Sequence, residues 1–368
     1  MEAPIEINSL VQQPPFKTEG TELRIQVPAL DIPLDDDNRP NLKHENGRLR
    51  VAVDVGADGL NVTSPFPGPT PVPLDVKLAA QIHPDEKELD GLLPSGSQCS
   101  FTPNEAPPTH LNLDGSKKKK DVDPGAIIFD SDDRILFQDT KYPWATVGKV
   151  RTAGGWGSGV MIGPRHVLTA SSIINWNANG PGTIGWATFT PGYYDGRGPW
   201  GEFAVTNVLY WQKVSGDLTD QETAFDYVVL VFGPPIGNTI GYAGTKLYER
   251  AWNNLPSWQC VGYAQDRARG ERPLYQGGAI ISSLQSFILN GNTGYVLGHF
   301  NDFTPGMGGA PVWGFFGDST GPKVIGVGST IGSTAVERPS GSTNGDNEYA
   351  GGPALNKLVL QARTQYPY

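Results

Sequence analysis

Cysteine, methionine and histidine are all scarce in this chain of 368 residues, which holds two, three and five of them. Two cysteines, Cys99 and Cys260, allow a single disulfide and no cysteine-based zinc centre. No His/Cys/carboxylate group has metal-ligand spacing, so no metal is expected. With no phosphate-cradling glycine loop either, no cofactor is implied. No apolar run approaches the 18 residues that cross a bilayer, so no membrane partner is expected. The acidic opening Met1-Glu2-Ala3-Pro4-Ile5-Glu6 lacks the apolar stretch of a signal peptide. Basic charge is short as well: 28 Lys and Arg stand against 38 Asp and Glu, a net charge of −10. That balance argues against nucleic acid as a main partner, because phosphate binding needs clustered cations.

What the chain does have is 47 Gly, 32 Pro and nine Trp, with only 18% charged residues. Such a mixture suits a loop-rich all-β protein and not a helical bundle. Cys99 and Cys260 are either two buried thiols or one disulfide. The bridge would remove roughly 4–5 kcal/mol of unfolded-state entropy in the chain-entropy account.

Residues 1–116 differ from the remainder, with 18 acidic and 8 basic residues and alternating prolines at 65, 67, 69, 71 and 73. Glu22–Val27 and Arg48–Val55 alternate polar and apolar residues, as half-buried strands do. A short helix is expected somewhere within 76–92. The run Lys117-Lys118-Lys119-Lys120 then reads as a solvated linker or as a site for a basic-specific protease. Residues 1–120 are therefore set apart as an acidic, Pro-rich, pro-region-like segment, and 121–368 as the main domain. From about residue 126 short apolar runs recur between Gly and Pro, among them Val160–Ile162, Tyr227–Phe232, Gln259–Gly262 and Val324–Thr330. Their spacing suggests barrels or a sandwich. The tail Pro353–Ala362 reads as a helix with proline in its first turn.

Three stretches together resemble the trypsin-like serine proteases, in their glutamyl-endopeptidase-like branch. The domain opens with Asp132-Asp133-Arg134 and Thr140-Lys141-Tyr142-Pro143-Trp144, as that branch does. Gly157–Ile173 resembles the strand pair leading to the general-base histidine, but Ser172 holds that position. The family's flanking disulfide would fall at Gly157 and Ile173, neither a cysteine. Asp226-Tyr227-Val228-Val229-Leu230 resembles the stretch carrying the aspartate that orients the base. Gly306-Met307-Gly308-Gly309-Ala310-Pro311-Val312 resembles the nucleophile loop, with Gly308 in place of serine. The separations, 54 residues from Ser172 to Asp226 and 82 from there to Gly308, follow the family's order.

The resemblance implies two six-stranded antiparallel barrels with a C-terminal helix, preceded by the partly β N-terminal region. It favours a secreted protein. The triad positions would be Asp226, Ser172 and Gly308. Gly306, Met307 and Gly309 would form an oxyanion-hole-like turn, and Gly328, Ser329 and Thr330 a peptide-pairing edge. Glutamyl-specific members place a histidine near Gly328; none is there, which weakens the case for acidic specificity. His166 reads as structural, and His299 lies on the strand before the glycine loop. With no base and no nucleophile, the first reading is a pseudo-protease that binds a peptide or protein in the former cleft. The others are a secreted endopeptidase captured as an inactivated variant, and an interaction module acting through its N-terminal region.

Overall fold

A computed structural model describes residues 2–10, 41–45, 48–52, 68–74, 88–106, 132–178, 184–317, 321–331 and 347–367. The chain divides into two compact units, residues 21–65 and all the rest. In the small unit, β1 (Asn41–Glu45) and β2 (Arg48–Ala52) pair antiparallel, with Asn41 opposite Ala52. The expected strand from Arg48 is thus described as far as Ala52. Glu22–Val27, most of the expected helix in 76–92, and Lys117–Lys120 lie outside the described residues.

The large unit continues with β3 (Thr70–Pro73), β4 (Glu88–Leu89), β5 (Ile135–Leu136), β6 (Val147–Thr152), β7 (Gly155–Gly163) and β8 (His166–Thr169). Then come β9 (Ala187–Pro191), β10 (Phe203–Tyr210), β11 (Val228–Phe232), β12 (Gly244–Lys246), β13 (Trp258–Gly262) and β14 (Leu274–Ala279). The last five are β15 (Ile281–Leu289), β16 (Asn292–His299), β17 (Pro311–Gly314), β18 (Lys323–Thr330) and β19 (Asn347–Gly351).

Strands run β11-β8-β7-β6-β9-β10 in the first sheet, and β10 pairs back to β11, which closes a six-stranded barrel. β3 adds to β10 in parallel, Thr70 opposite Asn207. The second sheet follows β15-β16-β19-β18-β17-β13-β14-β5, with β12 beside β18 and β4 beside β12.

The barrel's strands carry unbroken apolar runs because both of their faces are buried. On β11, Val228, Leu230 and Phe232 point into the barrel with Val150, Met161 and Val167. Val229 and Val231 face outward into a second cluster that holds Leu355, Leu358 and Ala362 of the C-terminal helix. Each such side chain contributes about 1.5–3 kcal/mol on full burial. The helix runs Pro353–Gln365, starts after Gly352 (φ 99°) and buries the stripe Ala354, Leu355, Leu358, Val359 and Ala362. Proline in its first turn gives up no helical hydrogen bond. The same large unit takes in N-terminal residues: Leu10, Leu74, Leu89, Cys99 and Phe101 are buried in its core.

Cys99 and Cys260 are free, fully buried thiols in different core clusters, so the disulfide weighed between them is absent and the plainer reading stands. Burial raises both thiol pKa values, that of Cys260 to about 11.

His166 is structural in the described sense: it is fully buried on β8 and its Nε2–H donates to the Ala362 carbonyl, 3.0 Å away. Burial, then the nearby Arg363 guanidinium, pushes its pKa down to about 4. A base whose folded pKa is depressed stabilises the fold above its unfolded value and loses that contribution as pH falls. Thermal unfolding followed from pH 6.5 down to about 5 is expected to show a falling Tm. His166→Gln, which cannot titrate, flattens that slope. An unchanged slope in the variant would assign the acid sensitivity elsewhere.

Candidate functional site

The site gathers where the barrel meets the second sheet. A capping box formed by Thr219 and Glu222 starts the short helix Asp220–Thr223. The chain then turns through Phe225 and delivers Asp226 to the root of β11 at zero exposure. A carboxylate taken fully out of water needs donors to offset its lost hydration. It has them: Ser172 N–H donates to Oδ1 at 2.7 Å and Ser172 Oγ–H to Oδ2 at 2.8 Å. Ser329 Oγ–H donates to Oδ2 at 2.6 Å. Burial raises the Asp226 pKa above the ordinary carboxylate range, and the bonds from Ser329, Ser172 and the Ser171 amide offset it only in part.

Ser172 therefore lies directly against Asp226, and its hydroxyl proton is spent on the carboxylate. Ser329, expected on the peptide-pairing edge, spends its side chain on Asp226. Its neighbour Thr330 donates to Glu348.

The glycine loop separates two kinds of glycine. Gly306 (φ 92°) and Gly309 (φ 79°) lie in the left-handed region that side chains disfavour. A Cβ on Gly306 would meet the Tyr263 carbonyl at 2.3 Å, and one on Gly309 would meet Thr169 Oγ1 at 2.1 Å. Gly308 is not among the left-handed residues, and a Cβ there would meet only Ile173 Cγ2, at 3.0 Å. The fold demands glycine at 306 and 309 and does not demand it at 308. Ile173 also fills the space a bridge would take: its Cδ1 lies 2.7 Å from where a Gly157 Cβ would sit.

The loop is held by backbone and by one cation. Ser158 N–H donates to the Gly308 carbonyl (2.8 Å), and Ser158 Oγ–H to the Gly306 carbonyl (2.9 Å). Gly309 N–H reaches Gly328 on β18 (2.8 Å). The amides of Gly306 and Gly308 donate to no acceptor among the described residues. Arg134, from the opening motif, is buried among Asp132, Asp266, Thr304 and the sulfur of Met307. Thr304 in turn donates to Asp266 at 2.7 Å. Burial alone would lower the arginine's pKa, but the two carboxylates keep it raised and fully charged.

Beside Gly328 there is no room. A Cβ there would lie 2.4 Å from Cζ of Phe303, a buried ring that also packs edge-on to His299 and Tyr349. His299 itself is buried and stacked on Tyr349 at 3.6 Å, and its Nδ1 accepts from the Asn301 amide at 3.1 Å. Burial holds its pKa well below the usual value, so it is neutral at pH 7. Next to Ser172 opens a cavity of about 420 Å³, walled by Trp156, Ile173, Asn175 and Trp176. Sequence reasoning missed Phe303 and Asp266, whose roles come from contacts far along the chain. The pairing of Arg134 with Asp132 was the one local signal.

Removing the arginine strands two carboxylates that are partly exposed, with side-chain accessibilities of 29% and 24%. Arg134→Leu is expected to cost about 2–3 kcal/mol, less than a fully buried pair because water reaches Asp132 and Asp266. Denaturant unfolding measures it, and a cost below ~0.5 kcal/mol would refute the assigned role.

No known family model matches the chain. Over 189 residues it is 29% identical to the glutamyl endopeptidase of Bacillus licheniformis, an alignment covering 50% of this chain and 54% of that protein. The chain thus spans about half the length of this relative. Among solved structures, it is similar to a Glu endopeptidase in complex with MPD (TM-score 0.49, 18% identity, 65% of this chain and 100% of that one). Another is a thermostable serine protease, AL20, from an extremophilic microorganism (TM-score 0.42, 16% identity, 60% and 98%). The chain thus combines a closed six-stranded barrel, a second sheet and a C-terminal helix with a sequence likeness to a glutamyl endopeptidase.

Proposed function

We propose that this chain is a catalytically inert serine-protease homologue that binds a peptide or protein segment through the cleft a protease would use. The observation that carries the reading is Ser172, bonded twice to Asp226 where a general base belongs, with no side chain at Gly308 to attack a carbonyl. Acyl transfer needs a nucleophile and a base acting as a unit. A serine hydroxyl takes up no proton near neutral pH. Losing such a unit costs roughly 10⁴- to 10⁶-fold in rate.

Support for binding comes from groups that are present. Beyond Gly328, β18 is paired on its β19 side, and its other side has no strand partner among the described residues. An extended peptide can add there by main-chain hydrogen bonds. The Gly306 and Gly308 amides offer donors to a bound carbonyl. The cavity beside Ser172 has aromatic and amide walls and no charged side chain among the described residues, which suits an uncharged segment. An acidic residue is not expected beside Gly328, where Phe303 fills the space and no histidine stands.

Casein and a peptide library, presented to the chain and to a Ser172→His, Gly308→Ser double variant, test the reading. The new serine needs Ile173 to give by a few tenths of an ångström, and the new imidazole stands at the mouth of the cavity. The expected result is no turnover by the parent and measurable cleavage by the variant, whose cut sites then report what the cleft recognises. Turnover by the parent, free of contaminating protease, would overturn catalytic inertness. Silence from both would overturn peptide binding in the cleft and move the function to the N-terminal region.

A further inference from the structure

Two lysines far from the glycine loop are almost wholly buried. Lys246 on β12 and Lys323 on β18 have side-chain accessibilities of 5% and 4%. Buried cations are rare unless paired, and among the described residues the carboxylates paired with these two come from the N-terminal stretch 88–90. Glu88 bonds both, reaching Lys323 at 2.9 Å. Asp90 bonds Lys323 at 2.9 Å, and the Leu89 carbonyl accepts from the same ammonium at 3.3 Å. The Asp90 carbonyl accepts from Arg363 of the C-terminal helix at 2.8 Å. Burial alone would raise the Glu88 carboxyl; the bonds from Lys246 and Lys323 outweigh it and hold it below the usual carboxylate range.

The backbone fits as closely as the charges. β4 pairs antiparallel with β12, Lys246 opposite Glu88 and Thr245 opposite Leu89. Leu92 and Tyr242 exchange both main-chain bonds, at 2.8 and 3.1 Å. Glycine is required on both sides of the contact: a Cβ on Gly91 would meet the Gly244 nitrogen at 2.6 Å, and one on Gly244 would meet the Leu89 carbonyl at 2.4 Å. The chain then threads onward through the core. Ser100 N–H donates to Tyr142, Gln259 donates to the Phe101 carbonyl, and Phe101 packs edge-on to Phe315 at 5.1 Å.

We infer that the β12 edge, with Lys246, Lys323 and Arg363, is an interaction surface built for an extended acidic strand. Its resident partner is residues 88–93 of the same chain, held as a permanent part of the second sheet. A segment meant to leave on processing would take away the carboxylates that pair these two ammonium groups and expose Leu89, Leu93, Cys99 and Phe101. Hydrolysis of a peptide bond within 117–120 then breaks one covalent link and releases nothing. The inference stands apart from the reading of the cleft, since no residue in it touches Ser172, Asp226 or Gly308.

Hydrogen exchange on the intact chain at neutral pH reads this directly. The Leu92 and Ser100 amides are expected to exchange with β13 and β17, within about tenfold of their rates, because they open only when the sheet does. Exchange more than about tenfold faster, with β13 still protected, would mean that the segment comes away by itself and would overturn the proposal. A second measurement replaces Lys117–Lys120 in the full chain with the recognition sequence of a site-specific protease. After cutting, both fragments are expected in one peak on native gel filtration. Elution of the N-terminal fragment apart from a folded remainder would overturn the proposal on its own.

Discussion

A charge removed from water must be met by opposite charge or by a full set of donors, and this requirement fixes the protein at three places. At the junction of barrel and sheet, Asp226 draws in Ser172 and Ser329. At the glycine loop, Arg134 gathers Asp132, Asp266 and Thr304. At the outer edge of the second sheet, Lys246 and Lys323 hold Glu88 and Asp90. Each cluster joins segments distant in sequence, so each fixes tertiary geometry that hydrophobic packing alone would leave looser.

The three sites differ in what they leave available for chemistry. Around Asp226 the donors are consumed by the carboxylate. His299 and His166, the two histidines on the nearby strands, are both buried and held neutral. The loop's steric demands lie at Gly306 and Gly309, independent of position 308. The shape of the loop is therefore set without reference to what stands at position 308.

Much of this was legible in the residues. The apolar run Tyr227–Phe232 announced a strand, and Pro353 with the stripe after it announced the last helix. Ser172, Asp226 and Gly308 were named from local motifs, and the structure brings Ser172 and Asp226 into direct contact. What stayed hidden depends on contacts across the chain. Nothing near Phe303 signals that its ring lies against Gly328. Nothing in Glu88-Leu89-Asp90 signals two buried lysines more than 150 positions away. The acidic, Pro-rich composition of residues 1–116 pointed to a segment apart from the domain. Leu10, Leu74 and Cys99 nonetheless lie in the core of the large unit, because a few apolar residues at wide spacing are enough to anchor an extended chain.

β3 gives the first sheet a particular boundary. It lies outermost on β10, and two of its four residues are Pro71 and Pro73. Proline has no N–H to donate, so the outer face of this strand offers an incomplete ladder to any newcomer. The barrel closes on itself, and the strand added to it among the described residues is a poor template for another chain. Crowding many copies together would therefore not polymerise them through this strand, and Pro71 and Pro73 act as a built-in stop to growth.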